Sequence, residues 1–258
     1  MWTQQDGDDE WFKIIGVRYA VHKIGSTASV RGLVCATAGN HGRAVARVAG
    51  EKKLPCTVFA IARALERNPE ACAAMREAGW DVAGHGYKWE MHATMAPDHE
   101  KKQIELATES ITRTIGTRPA GWYSRYAPSM QTRNLLLDAG YEYDSDTYDD
   151  ELPYWLKVGS RSQLIVPYSI THNDVRFARQ GLTSGDEYLA YIKNAVQCVL
   201  EEDPPRMLSF GLHNRIIGHP GRALGLARVL DWLAAQPRVW LTRRIDIARH
   251  WRQVHPEK

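Results

Sequence analysis

The sequence predicts an α/β fold, a distorted (β/α) barrel of about seven strands. From residue 54 onward, short runs rich in β-branched and aromatic residues alternate with amphipathic stretches at helical spacing. Parallel strands need crossover connections, and the intervening helices supply them. About seven such units within roughly 200 residues fit a barrel better than an open sheet, and a doubly wound sheet is the alternative.

Each predicted strand is a short apolar run bounded by turn residues, and most are separated by a predicted helix. The helix at 68–79 has the clearest end signals, with Asn68 at the N-cap, Pro69 in the first turn and Gly79 at the stop. The predicted strands are 56–62, 80–85, 121–126, 141–146, 164–169, 207–213 and 239–242, and the other predicted helices are 98–115, 130–139, 185–201 and 221–235.

The first 53 residues carry one further predicted βα unit behind an extra segment. We expect residues 33–61 to form a β–α–β unit, with "GLVCAT" as a strand beside "CTVFAI". Gly39 and Gly42 should form its turn, and the helix should start near Arg43. Because the composition does not shift sharply at any point, the sequence predicts one domain over 1–258, with 1–53 as an atypical segment before the core at 54–252.

The composition is that of an ordinary globular protein, with 44% hydrophobic and 24% charged residues. A net charge of +3, from 33 basic and 30 acidic residues, is too small to indicate nucleic acid or a membrane surface as partner. No apolar run approaches the ~18–20 residues that span a bilayer. The start, "MWTQQDGDDEW", is acidic, and the four cysteines show no CxxC spacing, so we expect a cytoplasmic protein with reduced thiols.

Reactive side chains follow the ends of five consecutive predicted strands. In α/β barrels the chemistry collects where parallel strands end at their carboxyl side. Any one of these residues could be structural, but folding has no general need for titratable groups at five successive strand ends. We therefore predict an active site at this rim, formed by His85, Tyr123, Arg125, Asp144, Asp146, His172, Asn173, Asp174, His213 and Arg215.

The spacing around His85 argues against a metal site. Divalent sites often use a histidine pair separated by i and i+4, but the residue four positions after His85 is Trp89, which cannot ligate. His92 lies seven positions on, which would require a long reach. Without thiolate spacing, structural zinc is not predicted either. The sequence thus predicts neither a metal nor another cofactor.

Several long stretches resemble the polysaccharide deacetylase (NodB-homology) superfamily, and more narrowly its cofactor-independent allantoinase branch. The resemblance covers about residues 54–252, through "LPCTVFAIARALERNPE", "AGHGYKW", "RPAGWYSR", "YDSDTYDDELPYW", "IVPYSITHNDVRF", "SGDEYLAYIKNA", "GLHNRIIGHPGRA" and "RRIDIARHW". It implies a distorted barrel, hydrolysis of C–N amide bonds and homo-oligomers. It also implies that His85 is the retained first histidine and that Trp89 replaces the second histidine of the metal-dependent members.

Residues 11–53 instead resemble part of a fold-type II pyridoxal-phosphate lyase of the diaminopropionate ammonia-lyase kind. Lys13 takes the place of the Schiff-base lysine, and Asn40 lies at the centre of a substrate-loop motif, "ATAGNHGRAVA". The glycine-rich phosphate cup and the residue facing the pyridine nitrogen are missing, so no pyridoxal phosphate is expected. The chain resembles a hybrid that lacks the acidic first strand of the allantoinase branch.

The expected activity is therefore metal-independent ring opening of a cyclic ureide, with allantoin favoured over other cyclic amides. A folded but weakly active hybrid and a metal-dependent carbohydrate N-deacetylase are the alternatives. The partner is a small-molecule substrate. The expected catalytic residues are His85, His213, Asp144, Asp146 and Arg125, and the expected substrate-binding residues are Trp89, Trp122, Tyr123, Asn173 and Arg215.

Overall fold

The computed structural model describes residues 33–37, 55–179, 181–202 and 205–257. The strands are β1 Leu33–Thr37, β2 Cys56–Ala60, β3 Asp81–Gly84, β4 Gly121–Trp122, β5 Tyr143–Asp144, β6 Tyr154–Val158 and β7 Arg161–Ile165. The helices are α1 Ala62–Glu66, α2 Pro69–Glu77, α3 Pro97–Ile115, α4 Thr132–Asp138, α5 Arg176–Arg179, α6 Gly185–Glu201, α7 Asn214–Ile217, α8 Pro220–Ala234 and α9 Arg244–Val254. The five predicted helices correspond to α2, α3, α4, α6 and α8.

The seven strands form one mixed sheet in the order β1-β2-β3-β4-β5-β7-β6. All neighbours pair in parallel except β6 and β7, which form an antiparallel pair. This arrangement confirms the α/β class and the number of about seven strands. Within the described residues, hydrogen bonds do not join β1 to β6, so the ladder is open there.

The N-terminal strand prediction is confirmed as far as the structure describes it. β1 pairs in parallel with β2, with Leu33 opposite Cys56 and Thr37 opposite Ala60. The predicted turn at Gly39 and Gly42 lies outside the described residues, as do the helix near Arg43 and the lyase-like positions. Thr37 therefore stands at the carboxyl end of the first described strand.

Two strand predictions are wrong, and one strand was not predicted. The segments 207–213 and 239–242 join no ladder of the described strands. Met207 N, for example, donates to Glu151 O in a loop (2.9 Å). The strand β6 was missed because it forms a hairpin with β7 through Gly159, which has a φ of +63° that favours glycine. The alternation of strands and helices that predicts parallel βα units does not predict an antiparallel hairpin of this kind.

The alternation of side chains along each strand separates the barrel interior from the helix layer. Phe59, Ala83, Tyr123 and Tyr168 pack together on the interior side. Their sequence neighbours face the helices, and Trp122 among them is fully buried there. No helix in the described part of the chain has the length and apolarity that a membrane span requires.

Candidate active site

His85 directly follows β3 and is held by two backbone groups. Its backbone N–H donates to Ala60 O (3.0 Å), and its ring Nδ1 lies 2.5 Å from Tyr123 O. Because a carbonyl oxygen only accepts, Nδ1 must carry the hydrogen, and Nε2 is left with a lone pair. Burial lowers the pKa of His85 to about 4, so the ring is neutral at physiological pH.

His213 is the last residue of the segment 207–213 and is paired with a fully buried carboxylate, Asp174. Asp174 accepts from the His213 backbone N–H through Oδ2 (2.6 Å) and lies 2.7 Å from His213 Nδ1 through Oδ1. Burial raises the pKa of Asp174, and the bonds from His213 oppose that rise. An ionised Asp174 fixes the Nδ1–H tautomer of His213 and leaves Nε2 as a proton acceptor.

Aromatic rings surround the His85 imidazole. Tyr123 stacks on it with ring centroids 5.2 Å apart and planes 9° apart, and Trp89 meets it edge-on at 5.6 Å. Tyr123 also packs on Phe59 at 5.0 Å and on Tyr168 at 4.9 Å. These flat surfaces suit a planar ring or amide more than a flexible chain.

Arg125 lies against the same aromatic group. Its guanidinium carbon is 4.5 Å from the centre of the Trp89 ring and 3.8 Å from that of Tyr126. Its Nε is buried and has no hydrogen-bond partner among the described residues. The positive charge of Arg125 also lowers the pKa of His85, after the larger effect of burial. A cation with an unused N–H donor near His85 can hold an oxygen of a substrate.

The acidic residues Asp144 and Asp146 form a separate corner. Asp146 accepts from the Ser124 backbone N–H and hydroxyl, both at 2.7 Å. Asp144 accepts from Asp146 N (3.0 Å) and from Arg133 Nε (3.3 Å). Burial raises the pKa of both carboxyls, and the negative charge of Asp144 raises that of Asp146 further. Their oxygens accept hydrogen bonds within this corner, and the catalytic role expected for them stays a prediction.

Three expected substrate-binding residues have other surroundings. Trp122 is 0% exposed and donates from Nε1 to Ser124 Oγ (2.9 Å), so it cannot contact a substrate. It directly precedes Tyr123, and neighbouring residues on a strand face opposite sides. Asn173 donates to Tyr168 Oη (2.9 Å), whereas Arg215 is exposed on α7. Of the expected binding set, the structure therefore brings Trp89 and Tyr123 to His85.

Asp174 was predicted to lie at the rim but without a specific role, and Tyr168 and Arg244 were not predicted as site residues. Arg244 is almost completely buried, with its guanidinium donating to Ser145 Oγ (3.1 Å), Ser209 Oγ (2.9 Å) and the carbonyls of Val166 and Pro167. The guanidinium lies 5.8 Å from the ring centres of both Phe59 and Tyr168. The Arg244 guanidinium therefore packs against Phe59 and Tyr168, two of the aromatic residues near His85. These contacts join segments that are far apart in the sequence, so no local sequence pattern predicts them.

A divalent metal, as implied for the metal-dependent relatives, does not fit this donor set. The indole of Trp89 meets the His85 ring edge-on at 5.6 Å and offers no ligand lone pair. In the described ranges, no three His, Cys, Asp or Glu side chains are grouped so that they could share an ion. Proton transfer and substrate binding at this site therefore fall to the side chains.

We expect the free energy of unfolding to fall as the pH is lowered from 6.5 towards 4, partly through His172. This ring packs between Tyr191 and Phe210, at 5.6 and 5.7 Å. Burial, and then the charge of Arg176, lower its pKa from 6.5 to about 4. Between these two values the unfolded chain binds more protons than the folded one, so acid favours unfolding, by up to about 3 kcal/mol for one such group.

Urea unfolding at several pH values measures this effect. The variant His172→Phe keeps an aromatic ring at the site and should lose stability less steeply between pH 6.5 and 4. The exposed His99 provides the control, and His99→Phe should keep the wild-type slope. Parallel slopes for His172→Phe and wild type would show that His172 does not carry the effect.

A family model for polysaccharide deacetylases matches residues 39–143. The match includes residues 39–53, so similarity to the deacetylases begins before residue 54, and neither this match nor the relatives that follow support the lyase resemblance expected for this segment. A Schizosaccharomyces pombe protein, assigned provisionally by its name as a polysaccharide deacetylase, is 33% identical over 227 residues, covering 80% of this chain and 71% of the relative.

Two solved structures resemble this fold closely. A protein of Pseudomonas aeruginosa PAO1, also provisionally assigned as a polysaccharide deacetylase, is 32% identical with a TM-score of 0.79, covering 90% of this chain and 93% of that one. The structure of Puue allantoinase is 31% identical with a TM-score of 0.78, and the same shares of the two chains are covered. Both likenesses extend over nearly the whole fold.

Proposed function

This chain belongs to the polysaccharide deacetylase family, and on that premise we propose that it hydrolyses a C–N bond of a cyclic ureide without a metal, with allantoin as the favoured substrate. The observation that carries the proposal is the surroundings of His85. The histidine is neutral, it is oriented by Tyr123 O, and an aromatic ring of Trp89 lies beside it where a second ligand would be needed. The likeness to Puue allantoinase supports the same substrate class.

In the proposed reaction, His213 moves the proton. Its Nε2 takes a proton from water, the water oxygen attacks a ring carbonyl carbon, and a tetrahedral oxyanion forms. The C–N bond then breaks, and the imidazolium returns the proton to the leaving nitrogen. The product is one open-chain molecule that carries both a carboxylic acid, which ionises, and a ureido group. Asp174 stabilises the imidazolium while it exists, because its carboxylate accepts from Nδ1–H.

The other side chains bind and orient the substrate in this proposal. His85 Nε2 accepts a hydrogen bond, either from the attacking water or from a ring N–H, and does not become charged. Arg125 donates to a ureido oxygen through its guanidinium, whose Nε–H has no partner among the described residues. The ring lies against Tyr123 and Trp89.

Carbohydrate N-deacetylation is the second candidate, favoured by the names of two matched relatives. A folded but weakly active protein is the third candidate. The resemblance to the allantoinase branch implies acidic residues at the carboxyl end of the first strand, and β1 ends there with Thr37. All three candidates can be compared in one assay.

The assay uses purified full-length protein with allantoin and, separately, with an N-acetylated sugar oligomer, before and after exhaustive chelation. We expect allantoin to be opened at the same rate after chelation, because the histidines and Arg125 need no ion. Loss of turnover with chelator, restored by zinc, would contradict the metal-free proposal. Release of acetate from the oligomer, with allantoin intact, would favour the deacetylase.

A further inference from the structure

The hydroxyl of Tyr168 has a fixed acceptor role and an unused hydrogen. Tyr168 lies just after β7 and is 3% exposed. Asn173 Nδ2 donates to its Oη (2.9 Å), while Asn173 Oδ1 accepts from Val175 N (2.9 Å), which fixes the orientation of the amide. The Tyr168 oxygen is therefore the acceptor, and its own hydrogen remains to be donated.

No described residue accepts that hydrogen. Burial raises the pKa of Tyr168 to about 12, so the phenol keeps its proton throughout the physiological range. A buried donor without an acceptor is costly to fold, and it persists where it serves another purpose. The Tyr168 hydroxyl is thus a preorganised donor that remains available.

The contacts of Tyr168 connect it, through one neighbouring residue or segment each, with both candidate histidines. On one side the Tyr168 ring packs at 4.9 Å on Tyr123, which stacks on His85. On the other side the hydroxyl is so close to Gly211 that a Cβ there would lie 2.0 Å from Oη. Gly211 precedes His213 by two residues, and the negative charge of Asp174 also acts on the phenol. Glycine is needed here because only its missing side chain leaves room for the hydroxyl.

We propose that Tyr168 is a catalytic residue whose hydroxyl donates a hydrogen bond to the oxyanion of the tetrahedral intermediate, with Asn173 as its positioning residue. The inference rests on the proposed amide hydrolysis and adds to it the group that receives the developing charge. The phenol donates and keeps its proton, so no charge is moved by this contact. A donor fixed before the reaction requires no reorganisation when the oxyanion forms.

The test is Tyr168→Phe, which removes one oxygen from the full-length protein. We expect kcat for ring opening to fall by about 10²-fold, with KM changed by less than about threefold, because the bond forms only in the transition state. Tyr141→Phe is the matched control: Tyr141 is equally buried, but its hydroxyl bonds to Thr108 Oγ1 (2.8 Å) in the helix layer. Equal kcat values for Tyr168→Phe and Tyr141→Phe would overturn the proposal.

A binding measurement keeps this test independent of the substrate. Methylphosphonate, a stable tetrahedral anion, should bind wild type and Tyr141→Phe alike, and Tyr168→Phe about tenfold more weakly. If allantoin is not hydrolysed but this difference is found, the ureide proposal fails and the role of Tyr168 stands. Wild-type protein that does not bind methylphosphonate, or equal affinity in all three proteins, would overturn the role of Tyr168.

Discussion

Replacing Asp174 by asparagine should lower kcat by about 10²- to 10⁴-fold and leave the fold intact. In the native protein both carboxylate oxygens accept from His213, one from the backbone N–H and one from Nδ1–H. An asparagine can keep one of these bonds, but its NH₂ group cannot accept the other. The imidazole then changes tautomer or turns, and Nε2 ceases to be a base. The buried imidazolium also loses its counter-charge.

The control for this variant is Asp186→Asn. The Asp186 side chain is 77% exposed and pairs with Arg228 on the surface, so kcat should stay within about twofold of wild type. Steady-state kinetics and urea unfolding of both variants separate a lost base from a lost fold. If Asp174→Asn is stably folded and keeps most of the wild-type kcat, His213 is not the group that moves the proton.

The pattern of strand ends predicted some contacts between candidate residues but not the direction in which their neighbours point. His85 follows β3 as predicted, and Tyr123 stacks on it. The sequence could not choose between Trp122 and Tyr123, because two adjacent aromatic residues fit either face of a strand. The register decides: Trp122 pairs with Gly84, whose missing side chain leaves room for the indole on the helix side.

The contacts that complete the site could not be predicted because they join distant parts of the chain. Asp174 and His213 are 39 residues apart, and Arg244 reaches Ser145 across 99 residues. The hydrophobic periodicity of the sequence does not predict such long-range pairs. The same limit explains the acidic corner, since "DSD" begins at the last residue of β5 as expected, but its carboxylates bond to Ser124 and Arg133. Sequence spacing locates a residue along the chain, and the register decides which way its side chain points.

Replacing His85 by asparagine should lower kcat by about 10²- to 10³-fold while preserving the local backbone. The asparagine amide can donate to Tyr123 O in place of Nδ1–H, so the anchor survives and only the lone pair at Nε2 is lost. His99→Asn is the matched control, since that side chain is 55% exposed and pairs only with Glu90 on the surface. Kinetics for both variants should show a loss for His85→Asn alone.

The pH dependence makes the prediction for His85 more specific. With a pKa of about 4, His85 does not titrate between pH 5 and 8, so it cannot produce an inflection in the rate near pH 6.5. The residual activity of His85→Asn should therefore follow a pH profile of the same shape as that of wild type, at a lower level throughout. An inflection between pH 5 and 8 that is present in wild type and absent in His85→Asn would mean that His85 itself gains and loses a proton during turnover. In that case the proton-transfer role proposed for His213 would have to be shared with His85 or reassigned to it.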